Sequence, residues 1–239
     1  MPYIFFITVS CLLLSCKNNE QLSADRAYTA LKEYGFKGKA KKVTTTDYSD
    51  LKLIEHEWVI DTDSSWDSKN IIEFDPDGNL LQETDTANRD GEATTSLIIK
   101  HSYEKNNHIV RQYSSGHLLS TANYHWLNKT SYTVTDHTTD NKIDFTTKTY
   151  LNQYFRDSAG EFMGYQNDSL VYGFRYVYTM GNNNRLIKST RFYINPAKKE
   201  EIYFTYKNLD RNGNYLYAIL TEGGNDKPMR ISIRTIEYY

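Results

Sequence analysis

Apolar and polar residues alternate along most of the chain after Val43. Every second residue is apolar or aromatic from 170 to 178, and the same spacing returns at 202–206 and 215–221. Successive side chains of a strand point to opposite faces, so a period of two predicts strands with one buried face. In the clearest run, that face carries Leu170, Tyr172, Phe174, Tyr176 and Tyr178.

Short polar segments rich in Gly and Asn separate these runs. The two best copies are Asp-Pro-Asp-Gly-Asn at 75–79 and Asp-Arg-Asn-Gly-Asn at 210–214. Gly or Asn supplies the left-handed residue that closes a type I turn with a bulge, so each copy predicts a hairpin. Weaker copies occur at 104–109, 114–118, 157–162 and 181–186.

The pattern predicts a mainly β fold, an antiparallel meander of repeated hairpins with one short N-terminal helix. A curved sheet, a sandwich and an open barrel all satisfy the periodicity. The helix is expected from Ser23, as its N-cap, to Tyr34, with Gly35 as the stop signal. Residues 37–239 contain no linker rich in Pro, Gly or Ser, so we expect them to form a single β domain.

Two segments resemble known repeats. Residues 74–80 and 206–215 resemble the YD repeats of RHS-type proteins, and residues 38–44 resemble the opening of uncharacterised Bacteroidota-type lipoproteins with such hairpins. This resemblance implies an architecture of hairpins and no particular activity.

An apolar run from Ile4 to Leu14 opens the chain. It is shorter than the ~20 helical residues that span a bilayer and has the dimensions of a signal peptide. The sequence Leu13-Leu14-Ser15-Cys16 resembles a bacterial lipobox. That resemblance implies cleavage before Cys16 and its acylation, and Lys17 implies export to the outer membrane. The alternative is an uncleaved or buried apolar segment.

These expectations divide the chain into a signal peptide (1–15), an acylated tether with a short helix (16–36) and the β domain (37–239). The other cysteine, Cys11, would leave with the signal peptide. Lys37, Lys39, Lys41 and Lys42 follow the tether. They would contact acidic lipid headgroups, or they would belong to a solvated strand or to a strand edge that they protect against pairing.

Composition narrows the function classes. The net charge is −2, which gives no electrostatic basis for nucleic-acid binding, and 21 Tyr favour strands. Asp75, Asp77 and Asn79 are spaced for a turn and do not match a calcium loop. The six His residues do not show zinc-site spacing. We therefore expect no catalytic residues, metal or cofactor.

Two features remain as candidates for chemistry. Trp66 lies in an acidic loop at 61–68, where it would either contact a ligand or fold back onto the sheet. Residues 54–60 read as one strand, with Ile54, Trp58 and Ile60 on the apolar face. Glu55 and Glu57 would share the other face as a carboxylate pair.

The sequence thus predicts a non-enzymatic envelope lipoprotein that is anchored to the membrane through Cys16 and binds a protein or a glycan. One alternative is an inhibitor or immunity lipoprotein that blocks a toxin or hydrolase. A carboxylate-dependent hydrolase is the other.

Overall fold

The computed structural model describes residues 29–61, 65–89, 91–104, 107–139, 143–194 and 196–239. Within these residues one α-helix, α1 (Ala30–Tyr34), precedes the sheet. The strands are β1 (Ala40–Tyr48), β2 (Leu51–Ile54), β3 (Glu57–Ile60), β4 (Ser68–Phe74), β5 (Leu80–Arg89), β6 (Glu92–Glu104), β7 (Asn107–Ser114), β8 (His117–Asn128), β9 (Ser131–Thr138), β10 (Asp144–Leu151), β11 (Asp157–Gln166), β12 (Ser169–Met180), β13 (Leu186–Tyr193), β14 (Lys198–Leu209), β15 (Tyr215–Glu222) and β16 (Arg230–Tyr238).

Fourteen of these strands form one closed antiparallel barrel. From β4 to β16 each strand pairs with its neighbour in the chain, and β1 pairs with both β4 and β16. Strands β2 and β3 form a separate hairpin. The predicted mainly β meander with one short helix is confirmed, and the sheet is fully closed.

The register assigns every strand residue to the inside or the outside of the barrel. Val43 is fully buried and pairs with Ile72 on one side and Ile236 on the other. Paired residues share a face of the sheet, so the inner face can be followed from strand to strand. The predicted aromatic run Tyr172, Phe174, Tyr176 and Tyr178 points inward, as do Ile202, Phe204 and Tyr206.

The two best turn copies have the same hydrogen bonds. Asp75 Oδ1 accepts from the backbone N–H groups of Asp77 and Asn79, both at 2.9 Å. Asp210 Oδ1 accepts from the corresponding groups of Asn212 and Asn214 at the same distance. Gly78 and Gly213 have φ of 87° and 80°, which requires the left-handed region. The turn interpretation of these residues is confirmed.

The predicted hairpin turn at 157–162 is wrong, because these residues lie inside β11. The chain reverses earlier, at residues 152–156, where Asn152 Oδ1 accepts from the N–H groups of Tyr154 and Arg156. Gly160 has a different role from closing a turn. A Cβ there would lie 2.5 Å from the Tyr176 hydroxyl, so the glycine makes room for an inward-facing ring.

Helix α1 lies within one mouth of the barrel. Thr29 caps its N-terminus and the left-handed Gly35 ends it. The described part of the predicted helix therefore begins at Ala30, and Ser23 lies outside the described residues. The Tyr34 hydroxyl donates to Glu83 of β5 at 3.0 Å, and the Tyr132 hydroxyl of β9 donates to Glu33 at 2.5 Å. The helix thus contacts well-separated parts of the wall.

The two best turn copies hold the segment around this helix. The backbone N–H of Leu31 donates to the Gly78 carbonyl at 3.2 Å. Asn214 binds Lys37 twice, accepting from its N–H at 2.8 Å and donating to its carbonyl at 2.9 Å. Both turns therefore lie at the mouth that α1 occupies, which we call the plugged end.

The hairpin β2–β3 lies on the outer wall. Glu57 accepts from Lys207 of β14 at 3.2 Å, and Lys227 Nζ lies 5.8 Å from the Trp58 ring centre. Ile231 faces outward by its register and is nevertheless fully buried. Trp58 is therefore half-buried on the outside and does not belong to the barrel interior.

Strand β1 is not an edge strand, since it pairs on both sides. Lys41 and Lys42 therefore do not protect a free edge, and that part of the interpretation is wrong. Lys41 is exposed on the strand, as expected for a solvated strand. Among the described helices, none is long and apolar enough to cross a membrane.

Asn214→Ala should lower the free energy of unfolding by about 2–4 kcal/mol, since it removes two bonds to the Lys37 backbone and one to the Tyr238 hydroxyl. For a domain of this size, that is a fall in Tm of roughly 5–15 °C. The matched control is Asn79→Ala, because among the described residues the Asn79 side chain bonds only to Asp75 of its own turn. Equal losses for the two variants would contradict the proposed hold on residue 37.

Candidate functional site

A cavity of about 350 Å³ lies inside the barrel between β5 and β11. A barrel of fourteen strands is too wide for its inward side chains to fill completely, so it can enclose a ligand space. The small side chain of Ala122 leaves part of this space empty, and the rings of Tyr124, Phe145 and Phe162 form part of its wall. The lining residues are Glu83, Ile99, His101, Val110, Gln112, Ala122, Tyr124, Val134, Asp136, Phe145, Thr147 and Phe162.

One side of the cavity is aromatic. The rings of Phe145 and Phe162 stack with centroids 5.3 Å apart and planes 26° apart. Gly164 pairs with Phe145 across β10 and β11. A Cβ on Gly164 would lie 2.9 Å from the Phe145 ring, so the glycine lets the ring lie over the strand. The aromatic wall therefore depends on a residue without a side chain.

Another side carries an amide and a carboxylate. Gln112 Nε2 donates to Asp136 Oδ2 at 3.0 Å. Asp136 Oδ1 is buried and has no donor in full hydrogen-bond geometry among the described residues, although the Ser120 hydroxyl interacts with this carboxylate. Burial raises the pKa of Asp136. An unsatisfied buried acceptor costs about 1–3 kcal/mol, which a hydroxyl or N–H of a ligand would offset.

A histidine pair lies between the cavity and the plugged end. His101 Nδ1 and His108 Nε2 are 2.9 Å apart, and His101 Nε2 is 3.5 Å from Glu83 Oε1. The His108 ring stacks between Tyr103 and Tyr124, with centroids 4.4 and 3.9 Å away. Burial and the neighbouring His101 lower the pKa of His108 to about 3. His108 is therefore neutral at ordinary pH.

Helix α1 contacts one lining residue of this site through Tyr34. Tyr34 donates to Glu83, which lines the cavity, and burial raises the pKa of Tyr34 well above its ordinary value. A neutral phenol at this position keeps its proton for the bond to Glu83. The helix thereby holds a carboxylate that lines the cavity.

The residues singled out from the sequence lie elsewhere. Trp66 precedes β4 at the end opposite α1, half-buried, with Lys69 Nζ 4.9 Å from its ring centre. Cys16 lies outside the described residues, as do 62–64 of the acidic loop.

The carboxylate pair Glu55 and Glu57 does not share a strand face. Glu55 and His56 have φ of 48° and 68° and form the turn between β2 and β3, so residues 54–60 are not one strand. Glu57 is paired with Lys207. In the part of the chain that the structure describes, no group of three or more His, Cys, Asp or Glu residues could hold a metal ion.

Sequence reasoning missed His101, His108, Gln112 and Asp136. His108 appeared to be a turn residue, yet it points inward at the start of β7, two residues before buried Val110. The sequence contained a signal for this orientation, because residues 108, 110 and 112 are two apart and share a face of the strand. A period of two does not indicate that polar residues occupy the inner face at this point of the barrel.

No protein-family model matches the chain, and no curated protein matches it. Among solved structures, it is similar to a porin-like protein from Bacteroides uniformis ATCC 8492, with 10% identity and a TM-score of 0.47. It is also similar to a porin-like protein from Bacteroides vulgatus ATCC 8482, with 12% identity and a TM-score of 0.45. Each match covers 84% of this chain and 98% of the other. Likenesses this distant carry no functional argument.

Acid should destabilise the protein through His108. Its pKa is about 6.5 when unfolded and about 3 when folded, so its contribution is complete above pH 6.5 and is lost as the pH falls towards 3. Between pH 6.5 and 4.5 the loss is about 2–3 kcal/mol. Urea unfolding at both pH values measures it.

The His108→Gln variant should show a shallower loss of stability with acid than the unsubstituted protein. The control is His125→Gln, an exposed histidine that should leave the pH dependence unchanged. The same pH dependence in all three proteins would refute a neutral buried His108.

Proposed function

We propose that this protein is a lipid-anchored envelope protein whose barrel binds a small glycan without catalysing a reaction. The observation that carries the binding role is the cavity itself, with stacked Phe145 and Phe162 on one side and the Gln112–Asp136 pair on another. Pockets of about 300–1,000 Å³ that combine apolar walls with a few placed polar groups are typical ligand sites.

The chemistry of the lining favours a sugar. A sugar ring presents C–H groups that pack on an aromatic face, and hydroxyls that both donate and accept hydrogen bonds. Glu83 and Asp136 offer acceptors, and Gln112 offers both functions. A volume of about 350 Å³ suits a ligand of one or two sugar rings.

The outer wall supports attachment beside a membrane. Spanning barrels carry an apolar outward band about 25 Å tall, and a charge at its middle costs about 2–4 kcal/mol. Here Lys148, Glu161 and Arg175 are cross-strand neighbours on the outer face, and Arg175 pairs with Glu161 at 3.2 Å. Lys188 and Glu201 form another outward pair at 3.3 Å. We infer that the acyl chains on Cys16 provide the membrane attachment.

The position of the described N-terminus agrees with this proposal. Thr29 lies at the plugged end, where exposed Lys37, Lys39 and Lys41 also lie. A tether of about a dozen residues from Cys16 would therefore bring this lysine-bearing end towards the membrane surface. Lysines near anionic lipids add about 1 kcal/mol each.

Glycan binding is tested by calorimetry on the full-length protein, extracted in a polyoxyethylene detergent that contains no sugar. The probes are glucose, galactose, N-acetylglucosamine, maltose and cellobiose. Gln112→Ala should weaken binding of the best probe about tenfold, the effect of one lost hydrogen-bonded contact.

The matched control is Gln82→Ala, which removes a glutamine from the outer face of β5 and should leave affinity unchanged. Failure of every probe to bind would refute the glycan assignment. Equal weakening by both glutamine variants would refute the cavity as its site.

The anchor is tested separately with Cys16→Ala. The unsubstituted protein should stay with membranes through a carbonate wash and incorporate an alkyne-labelled fatty acid. The variant should do neither, because two or more acyl chains account for stable attachment. A variant that remains in the washed membranes would contradict acylation at Cys16.

A further inference from the structure

A groove of about 690 Å³ opens at the plugged end, outside the cavity described above. Its walls are the end of α1, the β10–β11 connection and the β12–β13 connection. The residues that line it are Lys32, Gly35, Phe36, Lys37, Tyr154, Arg156, Met180, Gly181, Asn183 and Asn184. The groove is therefore built from loops and the helix, and no strand of the sugar cavity contributes to it.

A narrow recess of about 30 Å³ adjoins the groove. Phe36, Lys37 and Arg156 line both spaces, so the two lie side by side. The deeper residues include Arg185 and Arg234. By size, the recess has room for about two water-sized atoms. It can hold the head of a ligand but not its body.

The lining is cationic. Lys32, Lys37, Arg156, Arg185 and Arg234 contribute to it, and no Asp or Glu is among the described residues that line either space. Arg175 and Arg230 elsewhere in the barrel each face a carboxylate within 3.2 Å. Within the described ranges, Arg156, Arg185 and Arg234 form no salt bridge. Aromatic rings around Arg234 and a backbone carbonyl at Arg156 take the place of a carboxylate beside these guanidinium groups.

Arg234 is held deep in the recess by aromatic rings. Its guanidinium lies 3.8 Å from the Tyr215 ring centre and 5.0 Å from that of Phe36, and its Nε donates to Thr45 Oγ1 at 3.3 Å. Burial lowers the pKa of Arg234. These contacts orient the guanidinium, but an aromatic face offers much less compensation than a carboxylate.

Arg156 is fixed at the boundary between groove and recess. Its Nη1 donates to the Asn184 carbonyl at 2.5 Å, while its buried Nε has no partner in the described structure. A Cβ on Gly35 would lie 2.1 Å from the Arg156 Cζ, so the glycine that ends α1 also admits this guanidinium. Burial and the repulsion of Arg234 lower the pKa of Arg156.

We propose that the recess binds the carboxylate of an organic acid between Arg156 and Arg234, with the body of the ligand in the groove against Phe36, Tyr154 and Met180. A carboxylate presents two oxygens, which match both the size of the recess and the fork of a guanidinium. The apolar residues of the groove favour a body with an aromatic or aliphatic part. This site does not depend on glycan binding in the barrel cavity.

The experiment is calorimetry on the full-length protein in a polyoxyethylene detergent, with benzoate as the probe and benzyl alcohol as its uncharged counterpart. Benzoate should bind at least tenfold more tightly. Arg156→Gln should weaken benzoate binding at least tenfold, and Lys32→Gln with Lys37→Gln, both exposed at the rim, should weaken it about threefold. The control Arg111→Gln, on the outer wall, should have no effect.

Circular dichroism and Tm establish that each variant is folded, and the exposed lysine pair keeps the test decisive if Arg156→Gln does not fold. Equal affinities for benzoate and benzyl alcohol would overturn the proposal. Benzoate affinity that is unchanged in the lysine pair, or equally reduced in Arg111→Gln, would also overturn it. Tighter binding of inorganic phosphate than of benzoate would overturn the assignment to a carboxylate.

Discussion

The pairing of β1 with β16 is the contact on which the rest of the structure depends. It joins residues about as far apart as the described chain allows, from Ala40 opposite Tyr238 to Tyr48 opposite Ile231. Without it the sheet would have two edges and no interior. With it, a single inner face runs through fourteen strands, α1 has a mouth to occupy, and polar side chains such as Gln112 and Asp136 are enclosed instead of solvated.

The fold class was predictable from the sequence because its determinants are local. The Asp and Gly of residues 75–79 and 210–214 form their turns with the same hydrogen bonds, and the aromatic alternation of β12 is visible in the sequence. Closure was not predictable, since nothing local identifies β16 as the partner of β1. A glycine in the sequence can indicate either a turn or a close approach of another side chain. Gly160 was predicted to close a turn, but it lies inside β11 and makes room for Tyr176.

The candidate sites were harder to predict for a related reason. An inner face is expected to be apolar, and this one mixes phenylalanines with histidines, carboxylates and arginines because the barrel is wider than its side chains can fill. Whether His101 meets His108 depends on the register between two strands. Whether Arg156 and Arg234 line the same recess depends on closure, since they come from distant parts of the sequence. The spacing of these residues along the chain predicts neither arrangement.

Because the barrel is built of hairpins, its number of strands can change in evolution only by two at a time if the sheet is to stay antiparallel. Duplication or loss of one hairpin adds or removes two strands, so β1 and β16 still meet antiparallel and every remaining residue keeps its face. A single extra strand would bring the closing pair together in parallel and move the following turns to the other mouth. Barrel width grows with strand number, so ligand space changes in increments of a hairpin while the plugged end keeps its turns.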